Sequence, residues 1–257
     1  MWLCELHFDC YQETELAAIE PALQQFIDAL RYNGQIIGRE FPCALLTDGV
    51  TTRVVCPEPD SLHARYHSRQ VEQALGVLHQ AGLTSPKVST KGQDLNSDTT
   101  DACSTRAWQV LYTTYLHSCS PVRCGEHLAP VPLYQLPAIS NGDNKQIIKW
   151  QEDWEACDQL QMNGSILEHG ALSELGDTHS RLSQRGRKLA RQLEANSKIP
   201  TYYYLYRVGG ETELSERQRP CPSCGGAWQL PAPLHDIFDF KCEPCRLVSN
   251  VSWDFKN

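Results

Sequence analysis

The sequence predicts an α+β fold in three parts: a ferredoxin-like N-terminal sandwich, a mixed α/β middle region and a small C-terminal β zinc ribbon. Hydrophobic periodicity over about the first ninety residues gives the order β-α-β-β-α-β, which is typical of the sandwich. Two C-x-x-C pairs, Cys221-Pro-Ser-Cys224 and Cys242-Glu-Pro-Cys245, stand seventeen residues apart and predict the ribbon. In the middle region, between the sandwich and the ribbon, helical and strand patterns alternate without an internal repeat.

The N-terminal elements follow from local patterns. Alternating apolar residues predict the first strand, and apolar residues at helical spacing predict two helices, the second ending at Gly82. Pro21 indicates that the first helix either kinks or begins there. Asp48-Gly49 between two apolar runs predicts a hairpin. The predicted strands are residues 2–8, 44–46, 50–55 and 87–90, and the predicted helices are residues 16–30 and 71–78.

The remaining elements complete the predicted domains. We predict a strand at residues 108–116, followed by an irregular proline-rich stretch at 118–137 and a helix at 145–162. A basic helix at 180–196 and an aromatic strand at 201–206 come next. The predicted domains are residues 1–92, a linker or long loop at 93–105, a middle region at 106–219 and the ribbon at 220–257.

Size and composition are those of a water-soluble globular protein. The chain has 257 residues, of which 41% are hydrophobic, and no apolar run reaches the roughly eighteen residues that span a membrane. The first residues lack the basic and apolar regions of a secretory signal. We therefore expect a cytoplasmic protein, in which twelve reduced cysteines serve as metal ligands or buried thiols rather than as disulfides.

The spacing of the last four cysteines predicts one structural Zn²⁺ per chain. Each C-x-x-C pair forms a tight knuckle, and two knuckles supply the tetrahedral ligands Cys221, Cys224, Cys242 and Cys245. A closed shell of four thiolates leaves no position for a substrate, so the predicted role of the metal is structural. An iron centre or metal-free thiols are the alternatives.

A local basic block precedes the ribbon. The chain has a net charge of -8, yet residues 178–219 carry nine basic and four acidic side chains. Arginines contact phosphates and exposed tyrosines stack on unpaired bases, which makes this block a candidate nucleic-acid surface, for RNA ahead of DNA. The candidate residues are Arg181, Arg185, Arg187, Lys188, Arg191, Tyr202 and Tyr204. The alternative is a solvated helix face beside a core strand.

A second candidate site lies in the proline-rich stretch. Cys124 and His127 form a Cys-x-x-His pair, which has the spacing of a zinc-binding turn, and Cys119 is close in sequence. These residues are candidates for a second metal site or a reactive thiol. No distant ligand pair completes the shell, so loop thiols and a surface histidine are the alternative.

Several motifs together resemble a bacterial family of uncharacterised proteins described as zinc-ribbon-containing and as candidates for nucleic-acid binding. They are Ser120-Pro-Val-Arg-Cys-Gly125 with Val131-Pro-Leu-Tyr134, Leu182-Ser-Gln-Arg-Gly-Arg187, Pro200-Thr-Tyr-Tyr-Tyr-Leu-Tyr-Arg207, Cys221-Pro-Ser-Cys-Gly-Gly-Ala-Trp228 and Phe240-Lys-Cys-Glu-Pro-Cys-Arg-Leu247. The resemblance implies that the ribbon and the middle segment belong to one unit.

We therefore expect a non-enzymatic zinc-ribbon protein that binds nucleic acid and no membrane. The sequence lacks the common nucleotide-binding, serine-hydrolase and zinc-protease motifs, which weakens an enzymatic interpretation. A protein-interaction adaptor with a purely structural zinc is the first alternative. A thiol enzyme that uses Cys124 and His127 is the second.

Overall fold

The computed structural model describes residues 1–103, 105–139 and 141–256, and the chain folds into two compact units. The first unit comprises Met1–Thr100, His117–Ser120 and Pro130–Lys145, and the second comprises Asp101–Leu116, Pro121–Ala129 and Gln146–Asn257. Both units combine helices with a β-sheet, which confirms the α+β prediction. Ser104 of the predicted linker and Asn257 of the predicted ribbon lie outside the described residues. Among the helices described, none has the length and apolarity needed to cross a bilayer.

The first unit is a four-stranded antiparallel sheet with two helices. Its elements are β1 (Trp2–Asp9), α1 (Leu16–Asn33), β2 (Cys43–Leu45), β3 (Gly49–Cys56), α2 (Arg69–Gln80) and β4 (Lys87–Gln93). The strand order is β2-β3-β1-β4, and every neighbouring pair is antiparallel. The apolar side chains of β1 and of α1 share one core, in which the rings of Phe8 and Phe26 meet edge to face at 6.0 Å.

Two local predictions for this unit are settled by the structure. The hairpin at Asp48-Gly49 forms as predicted, with Leu45 opposite Val50. Helix α1 begins at Leu16 and runs through Pro21, so the alternative that the helix begins at the proline is wrong.

The second unit contains a six-stranded mixed sheet. Its elements are β5 (Gln109–Leu111), β6 (Val122–Cys124), α3 (Lys145–Asn163), α4 (Glu168–Gly176), α5 (Arg181–Ser197), β7 (Thr201–Leu205), α6 (Glu213–Arg217), β8 (Gln229–Leu234), β9 (Phe238–Cys242) and β10 (Leu247–Ser249). The strand order is β6-β5-β7-β10-β9-β8. Strand β10 runs parallel to β7 and antiparallel to β9, so the C-terminal strands β8, β9 and β10 extend the sheet of the middle region.

The middle region differs from its predicted elements in four places. The strand predicted at 108–116 is only the three residues of β5, and the stretch predicted as irregular contains β6. Helices α4 and α6 were not predicted. All residues of β5 and β6 are buried, so neither strand shows the alternation of apolar and polar residues that reveals a half-buried strand.

Candidate metal centre and basic helix

The four C-terminal cysteines are carried by two tight turns. In the first turn, the N–H of Gly225 donates to the carbonyl of Cys221, and the N–H of Cys221 donates to the carbonyl of Gly226, both at 2.8 Å. The second turn connects β9 to β10, where Cys242 stands opposite Leu247 in the antiparallel ladder. Backbone hydrogen bonds therefore fix both turns independently of their sulfur atoms.

The sulfur atoms converge on one point. All four Sγ atoms lie within 4.8 Å of one another, and those of Cys224 and Cys242 are 3.7 Å apart. A tetrahedral zinc ion with Zn–S bonds of 2.3 Å would separate two sulfurs by about 3.8 Å. A backbone hydrogen bond from Gly226 lowers the pKa of Cys224 to about 7, whereas burial raises the pKa of Cys242 and of Cys245, so the case for a metal site is the convergence of the sulfur atoms. The four cysteines therefore lie close enough to hold a metal ion.

A buried aromatic and cationic stack supports this cluster. The rings of Trp228 and Phe240 are 5.0 Å apart, and the guanidinium of Arg219 lies 4.7 Å and 4.2 Å from their centroids. Arg219 also donates to the hydroxyl of Ser249 on β10 at 2.7 Å. Burial lowers the pKa of Arg219 to about 10. The stack joins the segment before the first turn to β9 and β10.

Helix α5 presents its basic residues on the side opposite its core contacts. The side chain of Ser180 caps the helix by accepting from the N–H of Ser183. The buried apolar side chains of α5 are Leu182, Leu189, Ala190 and Leu193. Gly186 lies so close to the sheet that a Cβ there would come within 2.2 Å of the ring of Tyr203. The missing side chain therefore lets the backbone of the helix pack directly against β7.

The five basic residues predicted on this helix have different environments. Arg181, Lys188 and Arg191 are exposed and, within the described parts of the chain, make no ion pair. Arg185 pairs with Asp153 at 2.5 Å. Arg187 donates a hydrogen bond of 3.0 Å to Ser223, which lies between the first two cysteines. The helix is thus in direct contact with the candidate metal centre.

The same residues line an open cleft and a smaller groove. All five line the cleft, which also contains the carboxylates of Asp153 and Glu174. Arg187 and Arg191 also line the groove, together with Cys245 and Arg246. Arg246 was not among the predicted site residues, although it is a basic residue directly after the second C-x-x-C pair. It pairs with Glu194 of α5 at 3.1 Å.

The tyrosines predicted to stack on bases are buried, so that prediction is corrected. Only 1% of Tyr202 and 3% of Tyr204 are exposed. The ring of Tyr202 packs against Trp108, and its hydroxyl donates to Glu243. The hydroxyl of Tyr204 donates to Asn250 at 3.0 Å. Because β7 is an interior strand of the sheet, its aromatic side chains form the core and offer no open face to a base.

The second candidate site has a different composition from the predicted one. Cys119 belongs to the first unit, where its sulfur accepts a hydrogen bond from the N–H of Asp98. Cys124 and His127 belong to the second unit, where they form a cluster with Asp101. Asp101 was not among the predicted ligands, because it lies in the polar stretch predicted as a linker. Burial raises the pKa of the Cys124 thiol, which is the opposite of what a thiol nucleophile needs.

Comparison with known proteins gives matches along nearly the whole chain. Three family models match, each described as a domain of unknown function: DUF8589 over residues 1–92, DUF2310 over 103–206 and DUF8594 over 210–255. An uncharacterized protein of Haemophilus influenzae is 47% identical over 260 residues, covering 99% of this chain and 100% of the relative. A second uncharacterized protein of the same organism is 55% identical over 164 residues, covering 64% of this chain and 81% of the relative. No solved structure matches the chain significantly.

Proposed function

This chain belongs to the bacterial family of these Haemophilus influenzae proteins, and we propose that it is a zinc-ribbon protein that binds nucleic acid, RNA ahead of DNA, without catalysing a reaction. The observation that carries the proposal is the contact between Arg187 of the basic helix and Ser223 of the first cysteine turn. It joins the first cysteine turn to a helix that carries the exposed cations Arg181, Lys188 and Arg191, which would contact phosphates.

Zinc is the metal that the donor set fits best. Four cysteines with a sulfur separation of 3.7 Å suit a tetrahedral thiolate site of the kind that structural zinc occupies. Because a closed shell binds no substrate, we assign the ion to holding the two turns together. The two cysteine turns together with strands β8, β9 and β10 are the zinc ribbon of this proposal.

The proposal also assigns an architecture to the rest of the chain. The antiparallel order β2-β3-β1-β4 with two helices supports a ferredoxin-like sandwich. The family models at residues 1–92, 103–206 and 210–255 support a division into sandwich, middle region and ribbon. We place the protein in the cytoplasm, where its free cysteines stay reduced.

Electrostatics favours nucleic acid as the partner of α5. Arg181, Lys188 and Arg191 project from one helix beside the cleft, while the chain as a whole is acidic. An acidic protein that binds a polyanion must do so through such a local patch. Four or five phosphate contacts predict that the logarithm of the binding constant falls with the logarithm of salt concentration with a slope of about -3 to -4.5.

Fluorescence anisotropy with random single-stranded RNA and DNA, across a salt series, tests the proposal. The test variant changes Arg181, Arg185, Lys188 and Arg191 to Glu. The matched control changes Arg39, Arg65, Arg69 and Lys87 to Glu. These substitutions alter the net charge by the same amount, but the residues lie in the first unit. We expect the wild type and the control variant to bind with a steep salt dependence and the test variant to lose binding.

Two other outcomes would count against the proposal. No binding of the wild type at low salt would favour the alternative function, a protein adaptor with a purely structural zinc. Equal losses in the test and control variants would show that net charge, and not the surface of α5, governs binding.

A further inference from the structure

A second cluster of metal-ligand side chains lies in the second unit, away from the four C-terminal cysteines in sequence. The cluster consists of Asp101, Cys124 and His127, whose ligand atoms lie within 4.8 Å of one another. Cys103 also reaches it, with its Sγ 3.7 Å from Nδ1 of His127. From this cluster we propose that the protein binds a second zinc ion, held by Asp101, Cys124 and His127, with Cys103 as the fourth ligand. This inference does not depend on the proposed function.

The distances within the cluster match the edges of a zinc tetrahedron. Nδ1 of His127 lies 3.5 Å from Sγ of Cys124 and 3.4 Å from Oδ1 of Asp101. Bonds of 2.3 Å to sulfur and 2.0–2.2 Å to nitrogen and oxygen, at tetrahedral angles, give edges of about 3.6 Å for sulfur to nitrogen and about 3.4 Å for oxygen to nitrogen. The two distances from His127 therefore fit a common ion for Asp101, Cys124 and His127, and the Sγ of Cys103 would move toward that ion to complete the shell.

Asp101 supplies an independent indication of a missing ligand. Its side chain is only 3% exposed, and its Oδ2 makes no hydrogen bond within the described residues. The ion pair of this oxygen with Arg106 is 3.6 Å long. A buried carboxylate loses its hydration, and one long ion pair compensates for that loss only in part. A zinc ion bound to Oδ1, the oxygen that lies 3.4 Å from Nδ1 of His127, would supply further positive charge beside this carboxylate.

The backbone holds the turn that carries Cys124 and His127. The N–H of Leu128 donates to the carbonyl of Cys124 at 2.9 Å, which closes the turn. Gly125 packs so tightly on Trp108 that a Cβ would lie 2.1 Å from the indole. Because Trp108 immediately precedes β5, this packing keeps the turn beside the segment that carries Asp101 and Cys103. The site is thus assembled by the pairing of β5 with β6.

The environment of the ion would differ from that of the C-terminal cluster. The side chain of His127 is 53% exposed, whereas that of Asp101 is buried. One side of the site therefore faces solvent, and the ion has a direct path in and out. We expect this zinc to exchange more readily than an ion held by four cysteines in two backbone-fixed turns.

Zinc content of the full-length protein tests the inference. The protein is saturated with ZnCl₂ under reducing conditions, freed of unbound metal by gel filtration and measured by mass spectrometry of the metal. We expect two zinc ions per chain in the wild type and one in both His127→Ala and Cys124→Ser. His117→Ala and Cys157→Ser are the matched controls, since both residues lie outside the two clusters, and both variants should keep two.

The outcomes separate this site from the C-terminal one. Cys221→Ser should lose a zinc ion while keeping the one bound at His127, so a double variant with His127→Ala should hold none. A single zinc ion in the saturated wild type, or two in His127→Ala, would overturn the inference. Because His127 is exposed, its substitution tests the site even if Cys124→Ser fails to fold.

Discussion

The guanidinium of Arg187 donates a hydrogen bond to the hydroxyl of Ser223, with 3.0 Å between Nη2 and Oγ. Arg187 lies midway along α5, and Ser223 lies between Cys221 and Cys224. The bond therefore fixes the orientation of one arginine of the basic helix relative to the candidate metal centre. Among the described residues it occupies one of the five N–H donors of the guanidinium, and the others could donate to a phosphate.

Substitutions of Arg187 and Ser223 should separate the contribution of the arginine's charge to nucleic-acid binding from the contribution of its position. We expect Arg187→Ala to weaken binding of RNA and DNA of any sequence and to reduce the salt slope by about 0.7–0.9, because one phosphate contact is lost. Ser223→Ala keeps the charge and should leave the slope unchanged. Anisotropy titrations across a salt series measure both. Equal slopes in the wild type and Arg187→Ala would remove this arginine from the interface.

Gly186 determines how closely the basic helix approaches the sheet. A Cβ there would lie 2.2 Å from Cε2 of Tyr203 and 2.6 Å from Nε1 of Trp150. We therefore expect Gly186→Ala to lower the free energy of unfolding by about 1–3 kcal/mol, as overpacking does in a close-packed core. Urea unfolding followed by tryptophan fluorescence measures this change.

Gly170 in α4 offers a matched control for that substitution. A Cβ at Gly170 would meet no atom within 4 Å. Alanine is favoured over glycine in a helix by about 0.5–1 kcal/mol, so Gly170→Ala should leave the stability unchanged or raise it. Equal effects of the two substitutions would show that the contact between Gly186 and Tyr203 does not limit the packing of α5.

The sequence predicts features whose signal is local. The spacing of Cys221, Cys224, Cys242 and Cys245 is sufficient to predict their convergence, because each pair is confined to one turn. Helix α5 is likewise predictable, since its apolar residues recur at helical spacing and Ser180 provides its cap.

The sequence does not predict features that depend on long-range pairing. The cluster of Asp101 with Cys124 and His127 requires the pairing of β5 with β6, and both strands are three buried residues without alternation. The burial of Tyr202 and Tyr204 depends on β10 adding to β7 from more than forty residues further along the chain. An aromatic run has the same local pattern in a core strand as on an exposed strand.

Glu5 should titrate at a lower pH than an ordinary glutamate. Its carboxylate lies 2.9 Å from Lys91 of β4 and 3.2 Å from Arg53 of β3. The hydrogen bond from Lys91, followed by that from Arg53, lowers the pKa of Glu5 below its ordinary value of 4.5. The ion pairs therefore stabilise the folded protein fully above about pH 4.5, the ordinary pKa of a glutamate. This stabilisation is lost as the pH falls from 4.5 through the lowered pKa of the folded state.

Carbon-detected NMR titration of the Glu5 carboxyl measures this pKa. We expect Lys91→Ala to raise it most and Arg53→Ala to raise it less, and added salt to shift it in the same direction by screening. Arg69→Ala is the control, since Arg69 lies on α2 and makes no ion pair with Glu5 within the described residues. An unchanged titration in Lys91→Ala would show that the cross-strand pair is not formed in solution.

Removal of the proposed C-terminal zinc should destabilise more of the structure than the two cysteine turns. Structural zinc supplies roughly 10–16 kcal/mol of apparent binding free energy in small zinc modules, which is comparable to the total stability of a domain. Because β10 pairs with β7 on one side and with β9 on the other, disorder in the turns should weaken the centre of the sheet. The first unit has its own core and should be unaffected.

Hydrogen exchange with mass spectrometry, on Cys221→Ser and on chelator-treated wild type, tests this expectation. We predict that Cys221→Ser loses the C-terminal zinc ion and that both samples show faster exchange in β8, β9 and β10, a smaller acceleration in β7 and none in β1. Cys157→Ser is the matched control, since Cys157 lies on α3 outside both clusters. Unchanged zinc in Cys221→Ser would refute the metal centre. Lost zinc with unchanged exchange would show that the sheet, and not the ion, holds the two turns in place, because the backbone hydrogen bonds of Cys221 would then suffice.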